Sequence, residues 1–180
     1  MSRAMATFEY AIKDAESLLD HFNAINSHPP PASAEVLKRA GLVMALTAWE
    51  TYVEDRVMEE VQANLRFVQG SHVGKFVLAR LGEELRRFHN PTAEKTRRLF
   101  QDFLGIDVTA SWTWQQFDPP KAKKNLDDLI AKRGDVVHRS RPNHASGPPQ
   151  PHPVKKEELD KAIRFLRNLA EATEKAVSGT

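Results

Sequence analysis

The residues best equipped for chemistry stand together in one string, Lys132-Arg133-Gly134-Asp135-Val136-Val137-His138-Arg139-Ser140-Arg141. It sets a permanent cation near an imidazole that titrates close to neutrality, with further basic side chains around them. Metal-independent cleavage of RNA requires such a combination. A group with a pKa near neutrality takes the proton of a 2′-hydroxyl or gives one to the leaving 5′-oxygen, and a guanidinium holds the phosphate as negative charge builds. Arginine suits the second task because its planar fork binds phosphate oxygens in pairs and keeps its charge when partly buried. On an ideal helix Arg133 and His138, five residues apart, diverge by roughly 140°. They converge only if Gly134 bends the backbone or the long Arg side chain reaches round. The plainer account is a helix-end cluster, in which cations settle at the negative end of the helix dipole.

Other polar groups are sparser. Glu50 and Glu54 lie one helical turn apart, where they could orient Arg133 and His138 across a bundle. A solvated face, or an ion pair with Arg56 or Lys38, is the simpler reading. Lys121, Lys123 and Lys124, with Lys132, Arg139 and Arg141, make the last third locally basic. They fit either an ordinary wet surface or a rim that tracks phosphates and weakens with salt. Trp112 and Trp114 could stack on bases, but large aromatic side chains more often anchor a core. His144 and His152 have no ligand spacing to His138, so no metal and no cofactor is expected.

The elements that must position these groups read as helices. Phe8, Ile12, Ala15, Leu18 or Leu19, Phe22 and Ile25 recur every three or four residues, the stripe of an amphipathic helix ending near Asn26. Three consecutive prolines stop it, and Ser33 opens a second helix over about residues 34–67. The middle of that helix is apolar nearly all round, which makes it either central in a bundle or buried by a second subunit. Two shorter helices follow, one around residues 75–88 and one opened by Asn90-Pro91-Thr92 and ended by Gly105. The stretch IDVTASWTWQQFDPP is a packed loop or a short extended piece. The chain turns helical again from Pro119 or Pro120 and carries the Arg/His string. Residues 141–153 hold five of the eleven prolines and read as an exposed loop. Leu159, Ala162, Ile163, Leu166, Leu169, Ala170, Thr173 and Val177 then mark a last amphipathic helix.

Composition narrows the function. The 180 residues fit one globular domain, since a chain of this length buries about 70% of its unfolded surface. No Cys is present, which excludes disulfides, cysteine zinc sites, redox dithiols and thiol nucleophiles. The net charge of +2 permits a polyanionic partner without demanding one, so any basic site is local. Acidic residues interrupt the N-terminal region before any apolar run, and the most apolar stretch, residues 40–53, falls short of the roughly 20 residues a membrane span needs. A cytoplasmic protein with no membrane partner is expected. With no credible strand, Walker loop, GxGxxG, HExxH or GxSxG, the chain reads as all-α and outside the usual motif enzymes.

Three stretches carry a resemblance. The string from Arg133 to His138, with four residues between them at the end of LDDLIAKRGDVVHRS, resembles the motif of the HEPN superfamily. Residues 45–60, ALTAWETYVEDRVMEE, resemble the Trp-Glu-aromatic, acid-rich second helix of the HEPN group called RiboL-PSP, and residues 90–107, NPTAEKTRRLFQDFLGID, resemble the segment that precedes the motif in that group. The order of segments also matches over nearly the whole chain. The resemblance implies an all-α bundle of five to six helices with a long central second helix, dimerised so that two Arg/His motifs face one another across a two-fold cleft.

Many members of that superfamily are metal-independent endoribonucleases found as toxins of toxin-antitoxin pairs, in phage defence or in stress responses. Carried over by position, Arg133 binds the phosphate and His138 is the acid/base group that leaves a 2′,3′-cyclic phosphate. Asp135, Glu50 and Glu54 support them, and Lys132, Arg139, Arg141 and Lys124 contact RNA. Active members often carry Asn, Asp or His directly after the Arg, where this chain has Gly134, with Asp135 the nearest acid. The alternative is therefore a non-catalytic dimer that binds RNA, an antitoxin or another regulatory protein.

Overall fold

A computed structural model describes residues 1–27, 31–138 and 154–179, apart from the side chains of residues 32, 33 and 138. Helix α1 (Arg3–Ile25) opens on Ser2, whose hydroxyl accepts from the Met5 N–H at 3.0 Å, and buries Phe8, Ile12, Ala15 and Phe22. Helix α2 (Ala32–Asn64) begins slightly earlier than its sequence pattern predicts and ends three residues sooner. Residues 65–71 leave the helix through successive turns, with the Val68 N–H donating to Leu65 O at 2.8 Å and the Ser71 N–H to Val68 O at 2.9 Å. Ser71 then caps α3 (His72–Arg86), which starts three residues before the predicted position. Glycine is required at Gly74, because a Cβ there would stand 2.2 Å from the Val68 carbonyl oxygen.

Thr92 caps α4 (Ala93–Leu104), and Gly105 ends it in the left-handed conformation at φ +71°, as the Asn-Pro-Thr and Gly signals predict. The segment left open by the sequence forms a 3₁₀ turn (Val108–Ser111), followed by a reverse turn in which Trp114 and Phe117 exchange backbone hydrogen bonds of 3.1 and 2.8 Å. Helix α5 (Pro119–His138) runs unbroken through Gly134, and α6 (Lys156–Ser178) closes the bundle. The described residues hold no strand, and none of their helices is long and apolar enough to cross a membrane. His144, His152, Arg139 and Arg141 lie outside the described residues.

Helix α2 packs against each of the other α helices. Leu42, Ala45, Leu46, Ala48, Trp49, Tyr52, Val53 and Val57 are all buried in one core with residues of α1, α4, α5 and α6. Most of its apolar surround is thus covered by its own chain, while Met44 is exposed. Trp112 is buried too and donates its indole N–H to the Thr173 hydroxyl at 3.0 Å, so it anchors the core. Trp114 is half-buried, its ring centroid 5.0 Å from that of Phe117 and 5.6 Å from that of Phe165.

One polar cluster ties three helices together. Glu174 of α6 accepts from the Ser2 N–H at 2.7 Å, the Ser2 hydroxyl at 2.9 Å and Arg56 Nε of α2 at 2.9 Å. Burial by itself would raise the Glu174 pKa, but these donors and the Arg56 charge outweigh it and hold the carboxyl below its usual range. Tyr52 beside it is pushed well up, first by burial and then by the Glu174 charge.

Candidate functional site

The site grows from α2. Trp49 and Tyr52 turn into the core, which leaves Glu50 and Glu54, one turn apart, on an adjoining face. Across from that face runs the connection between α3 and α4, and several bonds fix it. The Trp49 indole N–H points at Pro91 O at 3.4 Å, Lys95 Nζ donates to His89 O at 2.5 Å, and the Thr92 N–H donates to Asn90 O at 2.8 Å. Asn90 adopts φ +54°, the left-handed region that Asn tolerates better than most residues. Helix α5 docks on the start of α4 through Asp127, whose carboxylate accepts from the Ala93 N–H at 2.8 Å.

Three elements converge there on one carboxylate. Glu50 Oε2 accepts from Arg133 Nη1 at 2.7 Å, and Glu50 Oε1 lies 3.6 Å from His89 Nδ1. The Arg133 and Glu50 side chains are 21% and 15% exposed, so the pair is largely withdrawn from water and each charge depends on the other. The His89 side chain is 73% exposed. Next to them the Glu54 carboxyl is pushed up, first by burial and then by the charges of Glu50 and Asp55, with His89 pulling the other way.

Of the residues singled out by sequence, Glu50 and Arg133 are thus brought together, and the simpler reading of Glu50 as a partner of Arg56 or Lys38 is replaced. Arg56 pairs with Glu60 and Glu174, and Lys38 with Glu35. Helix α5 continues through Gly134 without interruption. Asp135, two residues on, projects roughly 200° round α5 from Arg133. His138 closes α5 about 7.5 Å further along the axis, and its side chain lies outside the described residues.

Among the expected RNA contacts, Lys132 pairs with Glu158 at 2.5 Å and Lys124 with Asp128 at 2.7 Å, both towards other parts of the surface. A groove of about 760 Å³ runs along that side of α5, lined among others by Trp114, Asn125, Lys132, Phe165 and Asn168. Lys132 is thus the lining residue closest in sequence to the Arg133 pair.

His89 is the group that sequence reasoning missed. It stands outside the Arg/His string and before the Asn-Pro-Thr signal, with no spacing rule linking it to Glu50 or Arg133. Only the docking of the α3–α4 connection on α2 reveals it.

An all-helical chain with a long central helix and an arginine held by that helix's acid, five residues before a histidine, has the architecture of a HEPN domain. The family model RiboL-PSP-HEPN matches residues 6–179, and the chain belongs to that family. No curated protein and no solved structure matches the chain.

Proposed function

We propose that this HEPN domain is a metal-independent endoribonuclease acting as a homodimer, with Arg133 holding the scissile phosphate and His138 transferring a proton. The observation that carries the reading is the placement of Arg133. Its guanidinium is anchored through Nη1 by Glu50 on the central helix, which pre-orients a fixed cation at the position of the family motif. A positioned guanidinium stabilises the charge that builds on the non-bridging phosphate oxygens when the 2′-oxygen attacks, and no bound ion has to be reorganised for that step. Pairing of two such chains brings two motifs to one cleft and lengthens the surface that grips RNA. Toxin, phage-defence and stress roles are the settings in which such an activity would be used.

The test is cleavage of a labelled mixed RNA in EDTA by the wild type, Arg133→Ala and His138→Ala. Cutting by the wild type alone, with products ending in a cyclic phosphate, is the expected result. Intact RNA at high enzyme excess would sink the nuclease reading. It would favour the second one, a non-catalytic interaction module. Two observations point that way: Gly134 stands where active members often carry a polar side chain, and Phe67, Val73 and Phe76 are exposed together around the start of α3.

A further inference from the structure

Helix α5 packs on α2 and α4 but hardly touches α6, and the space between them is the groove of about 760 Å³ that Trp114, Phe117, Asn125 and Phe165 help to line. A second recess of about 260 Å³ continues along α6 past Thr113 and Lys175, and Trp114 and Asn168 line both. The middle is aromatic. The Trp114 and Phe117 rings stand 5.0 Å apart with 30° between their planes, and the Phe165 ring lies 5.6 and 5.1 Å from them. Trp114 is thus held by two rings while it still borders both recesses.

One rim is basic. Lys161, Arg164, Asn168 and Lys175 return to the same side of a helix with 3.6 residues per turn, which makes a stripe on α6 roughly 21 Å long. Arg164 is paired with Asp160 at 2.5 Å, but Lys161 and Lys175 form no ion pair among the described residues. Two of the lining acids are neutralised, Asp128 by Lys124 at 2.7 Å and Glu158 by Lys132 at 2.5 Å, while Glu171 has no cation among the described residues. Gln115, Gln116 and Asn125 add side-chain amides that make no hydrogen bond among the described residues.

Aromatic rings in a groove with cations spaced along its rim suit a flexible polyanion that carries flat bases, and free amides suit the edges of those bases. A duplex keeps its bases stacked inside and has none to offer Trp114. An extended peptide uses rings and amides but leaves the two lysines without counter-charge. We propose that the groove between α5 and α6 binds single-stranded RNA, with a base stacked on Trp114 and the backbone following the stripe from Lys161 to Lys175. The groove is a grip separate from the Arg133 site, and it holds RNA whether or not the strand is cut. Lys132 lines it one residue before Arg133, so the end at the Lys132–Glu158 pair is the one nearer that site along α5.

The test uses a short mixed-sequence 2′-O-methyl RNA, which has no 2′-hydroxyl to attack and stays intact. Binding is read by anisotropy of an end label and, without the label, by tryptophan emission of the protein. Trp49 and Trp112 are both 0% exposed, so Trp114 is the tryptophan within reach of a ligand. The wild type is expected to bind with a change in emission and with an affinity that falls as salt rises. Trp114→Ala should weaken binding about tenfold. Trp114→Phe keeps a ring and should bind more nearly like the wild type, without the emission change. Lys161→Ala combined with Lys175→Ala should weaken binding and lower the salt slope by roughly one to two. Both lysines are exposed, so this double variant should melt with the wild type, which separates lost contacts from a lost fold. Binding that leaves the emission unchanged and ignores the lysine changes lies elsewhere and overturns the proposal, with the cleavage reading intact. No binding at all also overturns it. An emission change caused by a proline-rich peptide and not by RNA assigns the groove to a protein ligand, which overturns it too. Groove binding by a wild type that leaves RNA uncut upholds the proposal and sinks the cleavage reading alone.

Discussion

Glu50 is the residue on which the site turns, because its carboxylate meets groups from two other elements while its own backbone sits on the helix that packs against every other α helix. Truncating Arg133 to Ala leaves that carboxylate largely buried without its cation, a loss of about 1–3 kcal/mol readable by urea unfolding. Glu54 behaves in the opposite sense. Its pKa is raised in the folded chain, so its contribution to stability is complete below the unfolded carboxyl pKa and is lost as pH rises through the folded value. At pH 7 the ionised form is a small penalty. Glu54→Gln is expected to raise stability at pH 7 by ~0.5 kcal/mol, discounted because solvent screens part of the effect, and to give no gain near pH 4. Thermal melts at the two pH values check the sign.

Two elements lend themselves to direct tests. Helix α5 carries Gly134 in its interior, and a Cβ built there meets nothing within 4 Å. Gly134→Ala should therefore stabilise the protein by roughly 0.5–1 kcal/mol, the usual difference between these residues inside a helix, without disturbing the pairing of Arg133 with Glu50. A lowered melting temperature would show that the glycine has a role the packing does not reveal. The second test concerns the cluster joining α1, α2 and α6 through Glu174. Its depressed pKa means that the stabilisation is present above the unfolded carboxyl pKa and disappears as pH falls through the folded value. Glu174→Gln is expected to cost about 1–3 kcal/mol at pH 7 and distinctly less at pH 3, as measured by denaturant titration at each pH.

For the whole molecule, the decisive quantity is mass in solution. The proposed homodimer predicts a particle of twice 20.3 kDa by light scattering at micromolar concentration. A monomer throughout that range would remove the two-fold cleft. The apolar belt of α2 is a weaker argument for association, since α1, α4, α5 and α6 cover most of it within one chain and leave Met44 exposed. The exposed apolar side chains that a partner could cover include Phe67, Val73 and Phe76 around the start of α3.

The helices were legible in the sequence because their causes are local. A stripe repeats every 3.6 residues, Thr92 caps the helix that follows it, and Gly105 takes the left-handed turn that ends α4, all within a few residues of chain. The Arg/His string and the acid-rich second helix, read together, were enough to point to the family. The tertiary structure decided what depends on elements meeting. The Ser71 cap and the turns before it moved the boundaries of α2 and α3, and burial separated Trp112 from Trp114. Above all, packing chose Arg133 over Lys38 and Arg56 as the partner of Glu50 and set His89 beside it. The physical reason is range: periodicity and capping act along the chain, whereas a carboxylate selects its cation by proximity in space, which is fixed only when α2, α5 and the α3–α4 connection pack together.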